Sequence, residues 1–437
     1  MIRVRIENHL NNNNILPKNQ HGSRNGHSTI TAVQEIEKAI KQNKTKGKTS
    51  VILSTDLTNA FDTIDHGLLL QKFEHIGVRG KPYFLIQSYL DQRNAYVEVQ
   101  GYSSDLRRCR PYSVIQGGKL SGQFFSVYTL ETTKLDEIMK NNDELKFISG
   151  ETLTESNKTE LQSTGYVDDV NHVAGNANIE DLEEFTGKLL NAVTEIYKEN
   201  LLSMNVTKTQ LLQIESSTNE CLNSSRRMVS IISQQGNITT AKTDMKILGV
   251  TLNCRASLDT NTSRMKSRIG LELNKLKPYL SSLRPVDRKI ILNCKLTSIL
   301  DYALPLYLGE TEATMNRFEA AYMSIYRRIR GGYTFRVNRK TICKDINTDL
   351  PRMHIAKKAV TFIHKQLSHR SCHSLVDRLI IPKRIASMIH MRNPQNGIYP
   401  TSLDRGVSLY NKLSTDLKSK RIGPFKRHLK KNDIKTH

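Results

Sequence analysis

The feature that most constrains the fold of this chain is a pair of aspartates between two short apolar arms. Residues 165–173 read GYVDDVNHV, with Asp168 and Asp169 in the middle. Apolar arms around a short polar turn predict a β-hairpin with the acids at its tip. Residues 50–54, SVILS, predict a buried strand that runs into Asp56. Although 112 residues separate Asp56 from Asp168, such a strand and hairpin can bring their acids together.

Acids that converge in this way predict a metal site. Two or three carboxylates at one point repel one another, and they remain ionised together only when cations neutralise them. Oxygen ligands favour Mg²⁺, which binds through one or two carboxylates, water and substrate phosphates. Two such ions, about 3.5–4 Å apart, clamp an in-line phosphoryl displacement. Each motif taken singly is weak, because an Asp-Asp pair in a turn usually serves the turn itself.

The rest of the chain predicts a mixture of helices and strands. Apolar spacing indicates helices over 27–43, 65–76 and 179–199, and strands over 209–214 and 246–252. Residues 141–164 are polar and are predicted to form a surface loop. Beyond Leu258 the pattern is basic and helical, with breaks at Pro278, Pro285 and Pro305. Domain boundaries are expected near 255 and 310.

Composition excludes several classes of protein. No run approaches the roughly 18 consecutive apolar residues of a membrane span, and the first residues, MIRVR, lack the apolar region of a signal peptide. Membrane and secreted proteins are therefore set aside. The six cysteines form no CxxC pair, which argues against a disulfide framework or a Cys-rich zinc module and favours a reducing compartment.

The charge is divided unevenly along the chain. The 65 Lys and Arg residues outnumber the 42 Asp and Glu, for a net charge of +23. By segment the net charge is +4 for 1–100, −7 for 101–200, +9 for 201–300 and +17 for 301–437. This surplus suits a polyanion partner, although a solvated basic face has the same composition. Aromatic residues make up only 6% and Trp is absent, so backbone contacts are favoured over base stacking.

Six segments, taken in order, carry a family resemblance. Residues 20–29 (QHGSRNGHST), 54–66 (STDLTNAFDTIDH), 115–122 (IQGGKLSG) and 166–169 (YVDD) resemble the successive polymerase motifs of reverse transcriptases, above all those of retrotransposons without long terminal repeats. Residues 202–209 (LSMNVTKT) resemble that family's Leu-x-x-Asn-x-x-Lys-Thr motif, and 247–250 (ILGV) its primer grip. The resemblance covers residues 1 to about 340.

The resemblance implies an α/β right-hand polymerase. Fingers and palm would occupy 1–255, a helical thumb 256–310, and a basic helical extension 311–437. The implied reaction copies an RNA template into DNA by adding deoxynucleotides to a DNA primer, with two Mg²⁺ ions or Mn²⁺ as a substitute. A nuclear or cytoplasmic location is implied by the family alone. Oligomeric state is left open.

Particular residues take roles from the resemblance. Asp56 and Asp168 would be metal ligands, Asp169 a third acid, and Leu57 would offer a further carbonyl oxygen. Lys208 would protonate the departing pyrophosphate, or be a surface lysine after a turn.

Nucleotide and primer contacts also follow from the resemblance. Arg24 falls where the fingers meet the triphosphate, and Phe61 where an aromatic side chain blocks a ribose 2′-hydroxyl, although a loop arginine and a core phenylalanine would look the same. Gln116 and Gly117 would line the nucleotide pocket, and Leu248 and Gly249 would form the primer grip.

Departures from the family pattern leave alternatives open. Leu120-Ser121-Gly122 replaces the usual Leu-Gly-Pro, and His21 and Ser23 flank Gly22 where the family has an aromatic residue. Most of the family's region upstream of residue 1 is not found, nor are its endonuclease domain and its Cys/His knuckle, which suggests a fragment or a truncated copy of such an element. The rival interpretations are an inactive nucleic-acid-binding remnant, or a related polymerase such as a group II intron maturase, a telomerase or an RNA-copying RNA polymerase.

A second cluster of potential metal ligands lies near the C-terminus. It consists of His354, His364, His369, Cys372 and His373. Its spacing fits no usual zinc pattern, so these residues are interpreted as solvated positions on a basic helix.

Overall fold

The computed structural model describes residues 2–91, 93–142, 144–146, 152–154, 159–216, 227–232, 236, 238–332, 336–369, 379–380, 390–391 and 401–431. These residues form two compact units. The first contains the described residues of 1–32, 47–213 and 224–242, and the second those of 33–46, 214–223 and 243–437. The predicted domain boundaries near 255 and 310 stay predictions.

The elements of the N-terminal half begin with two helices, one of which crosses the division between the units. In chain order they are α1 (Ile2–Asn12), α2 (Thr29–Thr45), β1 (Thr49–Thr55), α3 (His66–His75), α4 (Lys81–Leu90), β2 (Asn94–Ala95), β3 (Glu98–Val99), β4 (Tyr102–Ser103), β5 (Arg107–Arg108), α5 (Ser121–Tyr128), α6 (Leu130–Asn142), β6 (Glu144–Lys146), β7 (Thr152–Thr154), β8 (Glu160–Tyr166), β9 (Asp169–Asn176), α7 (Ile179–Glu199), β10 (Gln210–Ile214), β11 (Ser230–Ile232) and β12 (Ile238–Thr240).

The elements from residue 243 onward belong to the second unit. They are β13 (Asp244–Ile247), β14 (Val250–Asn253), α8 (Asp259–Leu280), α9 (Pro285–Leu292), a π-helical turn (Asn293–Thr297), α10 (Ser298–Asp301), a 3₁₀ helix (Leu304–Gly309), α11 (Glu312–Arg330), α12 (Arg339–Asp345), α13 (Pro351–His369), β15 (Leu379–Ile380), β16 (His390–Met391), α14 (Ser402–Asn411), α15 (Thr415–Ser419) and α16 (Ile422–Lys431). None of the described helices has the length and apolar character that crossing a membrane requires.

A four-stranded sheet in the order β10-β1-β9-β8 is the frame of the first unit. β1 lies inside the sheet, and all its residues except Ser54 are buried, as expected of a strand covered on both faces. Val51 and Leu53 share one face with Ala174 of β9. The long helix α7 packs its buried stripe into the same core.

The strongest helix prediction is confirmed. α7 runs from Ile179 to Glu199, as the apolar repeat indicates. Asn178 caps it, because its side chain accepts hydrogen bonds from the backbone N–H of Glu180 (2.8 Å) and Asp181 (3.4 Å).

Three expectations about secondary structure are wrong. The predicted loop 141–164 contains β6, β7 and the start of β8. The predicted strand 246–252 is a hairpin, because Leu248 (φ +46°) and Gly249 (φ +82°) turn the chain between β13 and β14. The predicted break at Pro278 does not occur either, since α8 continues through it to Leu280.

Candidate active site

Strand pairing brings the acids of two distant segments to one end of the sheet. In the β1–β9 ladder Thr55 pairs with Val170. Asp56 directly follows Thr55, and Asp169 directly precedes Val170. In the β8–β9 hairpin Tyr166 pairs with Asp169, so Val167 and Asp168 form a two-residue turn. The predicted hairpin is confirmed, and its tip lies beside the end of β1.

The turn holds its backbone in an unfavourable conformation. Val167 has φ +60°, in the left-handed region that a β-branched residue rarely adopts. Asn and Gly are the usual residues at such a position. Strain of this kind persists only where the surroundings enforce it, and it is concentrated at functional sites.

The loop before α2 supplies those surroundings. His21 N donates to the Gly165 carbonyl at 2.7 Å, and Gly165 N donates to the Asn19 carbonyl at 3.0 Å. The Gln20 side-chain carbonyl accepts hydrogen bonds from Gly22 N (2.8 Å) and Val167 N (3.4 Å). The loop therefore pairs with the hairpin through its backbone, and Gln20 connects it to the strained turn.

Gly22 permits this close approach. A Cβ atom at this position would overlap the backbone nitrogen of Val167 and its side chain. Backbone atoms cannot move aside as a flexible side chain can, so only glycine fits here.

A second loop attaches to the end of β1. Asn205 N donates to the Asp56 carbonyl at 2.8 Å, and Thr58 N donates to the Ser203 carbonyl at 2.9 Å. Leu57, which is buried, forms an antiparallel bridge with Met204. This pairing fixes residues 203–205 beside Asp56.

The same loop places Lys208 at the acids. The Asn205 side chain accepts hydrogen bonds from the Thr207 hydroxyl (2.8 Å) and from Lys208 N (3.2 Å), which closes a turn. Lys208 Nζ then lies 3.4 Å from Asp56 Oδ2. The lysine side chain is 65% exposed, so it can reach a bound substrate as well as Asp56.

The three carboxyls affect one another electrostatically. Partial burial raises the pKa of Asp168, and repulsion from Asp56 adds to the rise. The pKa of Asp169 is raised to about 6, mainly by partial desolvation and further by repulsion from Asp168 and Asp56. Such shifts are typical of acids gathered without a neutralising cation.

The donor atoms suit a divalent cation. Asp56 Oδ2 is shielded from solvent and accepts no hydrogen bond from the described residues, apart from its ion pair with Lys208. Among the described side chains, no three His, Cys, Asp or Glu form a ready-made metal cluster. Mg²⁺ commonly takes one or two carboxylates and completes its shell with water and substrate phosphates. Asp56 and Asp168, with Asp169 beside them, match that chemistry.

The predicted nucleotide-contacting residues occupy different settings. Phe61 is half-buried and packs on Phe125, with ring centroids 5.2 Å apart. Gln116 and Gly117 are exposed in a tight turn that Gly118 N closes by donating to the Ile115 carbonyl at 2.9 Å. Gly117 has φ +81°, which explains the glycine.

Arg24 is more enclosed than a loop arginine would be. Only 8% of the residue is exposed. Its Nη1 donates to the Pro17 carbonyl at 2.8 Å, and its Nε donates to Asn11 Oδ1 at 3.2 Å. The guanidinium therefore holds the loop of residues 11–24 together, and its triphosphate contact stays a prediction.

The predicted primer-grip residues belong to the second unit. Leu248 and Gly249 form the turn between β13 and β14. Tyr302 OH donates to the Leu248 carbonyl at 2.8 Å. The Tyr302 ring also packs on Gly249, where an added Cβ would lie only 3.1 Å from the ring. The turn is therefore held against Tyr302, and its primer-grip role stays a prediction.

The interpretation of the C-terminal histidines as solvated residues is wrong for two of them. His354 Nε2 lies 2.9 Å from Asp301 Oδ1, and His364 is buried and stacks on Phe425 with ring centroids 3.7 Å apart. Both contacts stabilise the fold of the second unit. Cys372 and His373 lie outside the described residues, as does the side chain of His369.

Sequence reasoning missed the residues that hold the site together. Asn19, Gln20 and Gly22 support the hairpin, and Asn205 positions Lys208. Gln20, Gly22 and Asn205 lie inside motifs that the sequence already marks, and Asn19 directly precedes one. Their roles depend on tertiary contacts, however, which no spacing in the sequence indicates.

Known proteins are similar to this chain. Residues 1–252 match the family described as "Reverse transcriptase (RNA-dependent DNA polymerase)". Two Drosophila melanogaster proteins are similar to this chain. "Probable RNA-directed DNA polymerase from transposon BS" is 22% identical over 88% of the chain, and "RNA-directed DNA polymerase from mobile element jockey" is 20% identical over 82%. The alignments cover 40% and 36% of those relatives, so the chain spans well under half of their length.

Solved structures of telomerase are also similar. Apo telomerase from Candida Tropicalis aligns with 86% of this chain and 60% of its own at 13% identity, with a TM-score of 0.39. Telomerase from Candida albicans with a fragment of telomeric RNA aligns with 84% of this chain and 55% of its own at 11% identity, with a TM-score of 0.36.

The match to the family model covers more than half of the chain and includes Asp56, Asp168, Asp169 and Lys208. It confirms the resemblance and, together with the mixed helices and strands of the structure, the α/β polymerase fold class. The chain belongs to the reverse transcriptase family.

Proposed function

We propose that this chain is an RNA-directed DNA polymerase of a retrotransposon without long terminal repeats. It would add deoxynucleotides to a DNA primer 3′-hydroxyl under the direction of an RNA template. The observation that carries the proposal is the convergence of Asp56 with Asp168 and Asp169 at one end of the sheet. Family membership supports the reaction class and the need for a divalent metal.

The carboxylates would act as metal ligands. Asp56 and Asp168 would hold two Mg²⁺ ions, or Mn²⁺ in their place, with Asp169 and the Leu57 carbonyl adding oxygens. When bound, the ions would neutralise the site and stabilise both the attacking and the leaving oxygen of an in-line displacement. The strained turn at Val167 and its support by Gln20 keep the Asp168 carboxylate in place before substrate arrives.

Lys208 would serve as the general acid. Its ammonium lies beside Asp56 and is largely exposed, so it can donate a proton to the departing pyrophosphate. Asn205 would position this lysine, since its side chain closes the turn that carries Lys208.

The remaining site residues would bind nucleotide and primer. Phe61 would exclude a ribose 2′-hydroxyl, and its packing on Phe125 gives the ring the rigidity that exclusion needs. Gln116 and Gly117 would line the pocket from their exposed turn. Arg24 could reach a triphosphate only if its guanidinium left Pro17 and Asn11. Leu248 and Gly249 would contact the primer.

Primer extension on a primed RNA template tests the proposal. Asp168→Asn keeps the size of the side chain but removes its charge, so incorporation should fall to background while RNA binding is nearly unchanged. The matched control is Asp105→Asn, an exposed acid in the same acidic segment of the sequence, which should extend normally. Extension by Asp168→Asn at the wild-type rate would show that the site is assigned wrongly.

A second candidate function is an inactive nucleic-acid-binding remnant. Leu120-Ser121-Gly122 replaces the family's Leu-Gly-Pro, and Gly122 packs so closely on Ser23 that a Cβ would overlap the serine hydroxyl. The loop of residues 20–24 therefore packs directly against the start of α5. This candidate predicts salt-sensitive RNA binding by the wild-type chain with no synthesis in the same assay.

Sugar selectivity separates the proposal from a related polymerase that uses ribonucleotides. If Phe61 faces the sugar, Phe61→Ala should admit ribonucleoside triphosphates in the extension assay. Unchanged discrimination between the two sugars would remove the argument for deoxynucleotide use that rests on this ring.

A further inference from the structure

The loop of residues 19–24 contacts two parts of the candidate active site at adjacent positions. Gly22 lies against the backbone of Val167, in the turn between β8 and β9. The next residue, Ser23, lies against Gly122 in the first turn of α5. A Cβ atom on Gly122 would overlap both the Oγ and the Cβ of Ser23. The loop therefore connects the hairpin of the acids to the start of α5, and its contact with α5 has no spare room.

The turn of Gln116 and Gly117 is fastened to the start of α5. The Ser121 hydroxyl donates to the Ile115 carbonyl at 2.6 Å, and Ser121 N donates to the Gly118 carbonyl at 3.2 Å. These two carbonyls lie on either side of the turn, and both are attached to the first residue of the helix. A shift of the first turn of α5 would therefore move Gln116 and Gly117 with it.

The loop is held more firmly than the start of α5. Two backbone hydrogen bonds join it to Gly165, and the Arg24 guanidinium donates to two oxygens within residues 11–17. By contrast, Leu120 stands at the N-terminus of α5 and provides no side-chain cap, so the first N–H groups of this helix lack that support. An overlap at the contact should therefore displace the start of α5 rather than the loop.

Both sides of this contact depart from the family pattern. The family has an aromatic residue next to the glycine at position 22, where this chain has His21 and Ser23. It has Leu-Gly-Pro where this chain has residues 120–122, so Gly122 takes the place of the proline. A proline carries a Cβ atom, for which Ser23 leaves no room. The two departures are therefore expected to depend on each other.

We propose that Ser23 and Gly122 are positioning residues for the incoming deoxynucleotide. Their contact sets the distance between the turn of Gln116 and Gly117 and the carboxylates, because the loop is joined to the hairpin on one side and to α5 on the other. A nucleotide that contacts both the turn and the metal-binding acids must span this distance. A misplacement of about 1 Å can slow a reaction by about 100-fold. This role rests on the proposed polymerase function and adds a determinant of nucleotide binding to it.

Nucleotide binding without synthesis tests this role. The full chain is bound with Mg²⁺ to a primed RNA template whose primer ends in a dideoxynucleotide, and the Kd of the matching deoxynucleoside triphosphate is measured. Gly122→Ala should raise this Kd by about tenfold, because its Cβ displaces the start of α5 and the turn attached to it. In the extension assay the same variant should raise KM for the deoxynucleotide more than it lowers kcat, whereas a loss of folded protein would lower kcat alone.

A second substitution on the other side of the contact should relieve the defect. Ser23→Gly removes the atoms that the new Cβ would overlap, and the φ of +51° at this position is one that glycine adopts readily. In the Ser23→Gly background, Gly122→Ala should therefore raise the Kd by less than about twofold. If Gly122→Ala alone unfolds at the assay temperature, thermal unfolding should show that Ser23→Gly restores its fold.

Two further glycines provide controls. Gly187→Ala adds a Cβ in α7 where no atom lies within 4 Å, so it should leave the Kd unchanged in either background. Gly22→Ala overlaps Val167, which is not part of the contact between loop and helix. Ser23→Gly should therefore leave the extension defect of Gly22→Ala in place.

Three results would overturn the assignment. The first is an unchanged Kd in Gly122→Ala, and the second is an equal rise of the Kd in both backgrounds, since the defect would then not arise at Ser23. The third is relief of Gly22→Ala by Ser23→Gly, which would indicate a general loosening of the loop. Failure of the proposed polymerase is distinguishable, because a wild-type chain that bound the nucleotide but extended no primer would refute synthesis and leave the binding result standing.

Discussion

Asp169 shows at the scale of one residue how a cluster of acids destabilises the protein that carries it. Its pKa is raised to about 6 by desolvation and by the neighbouring acids. At neutral pH the folded protein therefore holds an ionised group that would bind a proton more readily than in the unfolded chain. A substrate-bound cation would relieve this repulsion, so the cost falls on the metal-free protein.

Asp169→Asn should consequently stabilise the metal-free protein, and the gain should depend on pH. Because the pKa is higher in the folded state than the unperturbed 3.8, ionisation costs stability above about pH 6 and costs nothing below pH 4. The expected gain near neutral pH is about 1 kcal/mol, reduced from the full shift because the site is partly exposed. Urea unfolding near neutral pH and just below pH 4 measures this gain in the free energy of unfolding.

Asp105→Asn is the control for that prediction. This acid is exposed, so its loss should leave the unfolding free energy unchanged at either pH. An Asp169→Asn gain that was as large near pH 4 as at neutral pH would contradict the electrostatic explanation. Added Mg²⁺ should reduce the difference in unfolding free energy between Asp169→Asn and wild type.

At the scale of elements, the contact between the loop of residues 19–24 and the hairpin is the most restrictive feature of the site. Gly22→Ala would place a Cβ onto the backbone of Val167, so the loop or the strained turn must shift. Overpacking of this kind costs about 1–3 kcal/mol. Extension activity should fall further than stability, because the turn that moves carries Asp168.

A second glycine gives the matched substitution. Gly187 lies within α7 in the same unit, and an added Cβ there would meet no atom within 4 Å. Gly187→Ala should therefore keep full extension and gain up to about 1 kcal/mol of stability, since alanine favours a helix interior. The two variants are compared by thermal unfolding and by the extension rate. Equal activity in both would show that the loop and the turn can separate without cost.

The sequence predicted the elements whose signal is local. α7 has an apolar stripe and a capping Asn178, and β1 is a continuous apolar run, so both were recognised from the residues alone. The hairpin was recognised from its apolar arms, which also marked Asp168 and Asp169 between them. Asp56 was recognised because it follows the apolar run of β1. Each of these signals lies within one segment of about 20 residues or fewer.

The elements that were missed depend on contacts between segments. β8 reads as polar, yet Ser163 and Gly165 are buried because His172 and the Asn19–Gln20 loop lie beside them. The turn at Leu248 was hidden inside an apolar run, since a leucine at φ +46° gives no turn signal. Arg24 resembles any loop cation until Pro17 and Asn11 are seen to enclose it.

At the scale of the whole molecule, the uneven charge matches a division of tasks. The acidic segment 101–200 contains Asp168 and Asp169, whereas segment 301–437 has a net charge of +17. Negative charge is therefore concentrated where cations are expected, and the basic segments are available to a polyanionic template. Asp168→Asn should consequently abolish synthesis in the extension assay while leaving RNA binding nearly unchanged.

The second unit has an ionic centre of its own, around the partly buried carboxyl of Asp301. Asp301 accepts a hydrogen bond from Tyr322 OH at 2.8 Å and lies 2.9 Å from His354 Nε2 and 2.8 Å from Lys358 Nζ. Burial alone would raise the pKa of Asp301, but His354 and Lys358 outweigh it and lower the pKa to about 2. A carboxyl with a depressed pKa stabilises the fold above its unfolded pKa of 3.8 and loses that contribution as pH falls towards 2.

Two compact units with separate buried cores should unfold in two calorimetric transitions. Asp301→Asn should lower the free energy of unfolding of the second unit alone, by about 2 kcal/mol at neutral pH. The difference in this free energy from wild type should shrink as pH falls from 3.8 towards 2. Gly22→Ala should lower only the other transition, because residue 22 belongs to the first unit. A single transition that both substitutions moved equally would mean that the two cores melt together, and neither unit would then be expected to fold alone.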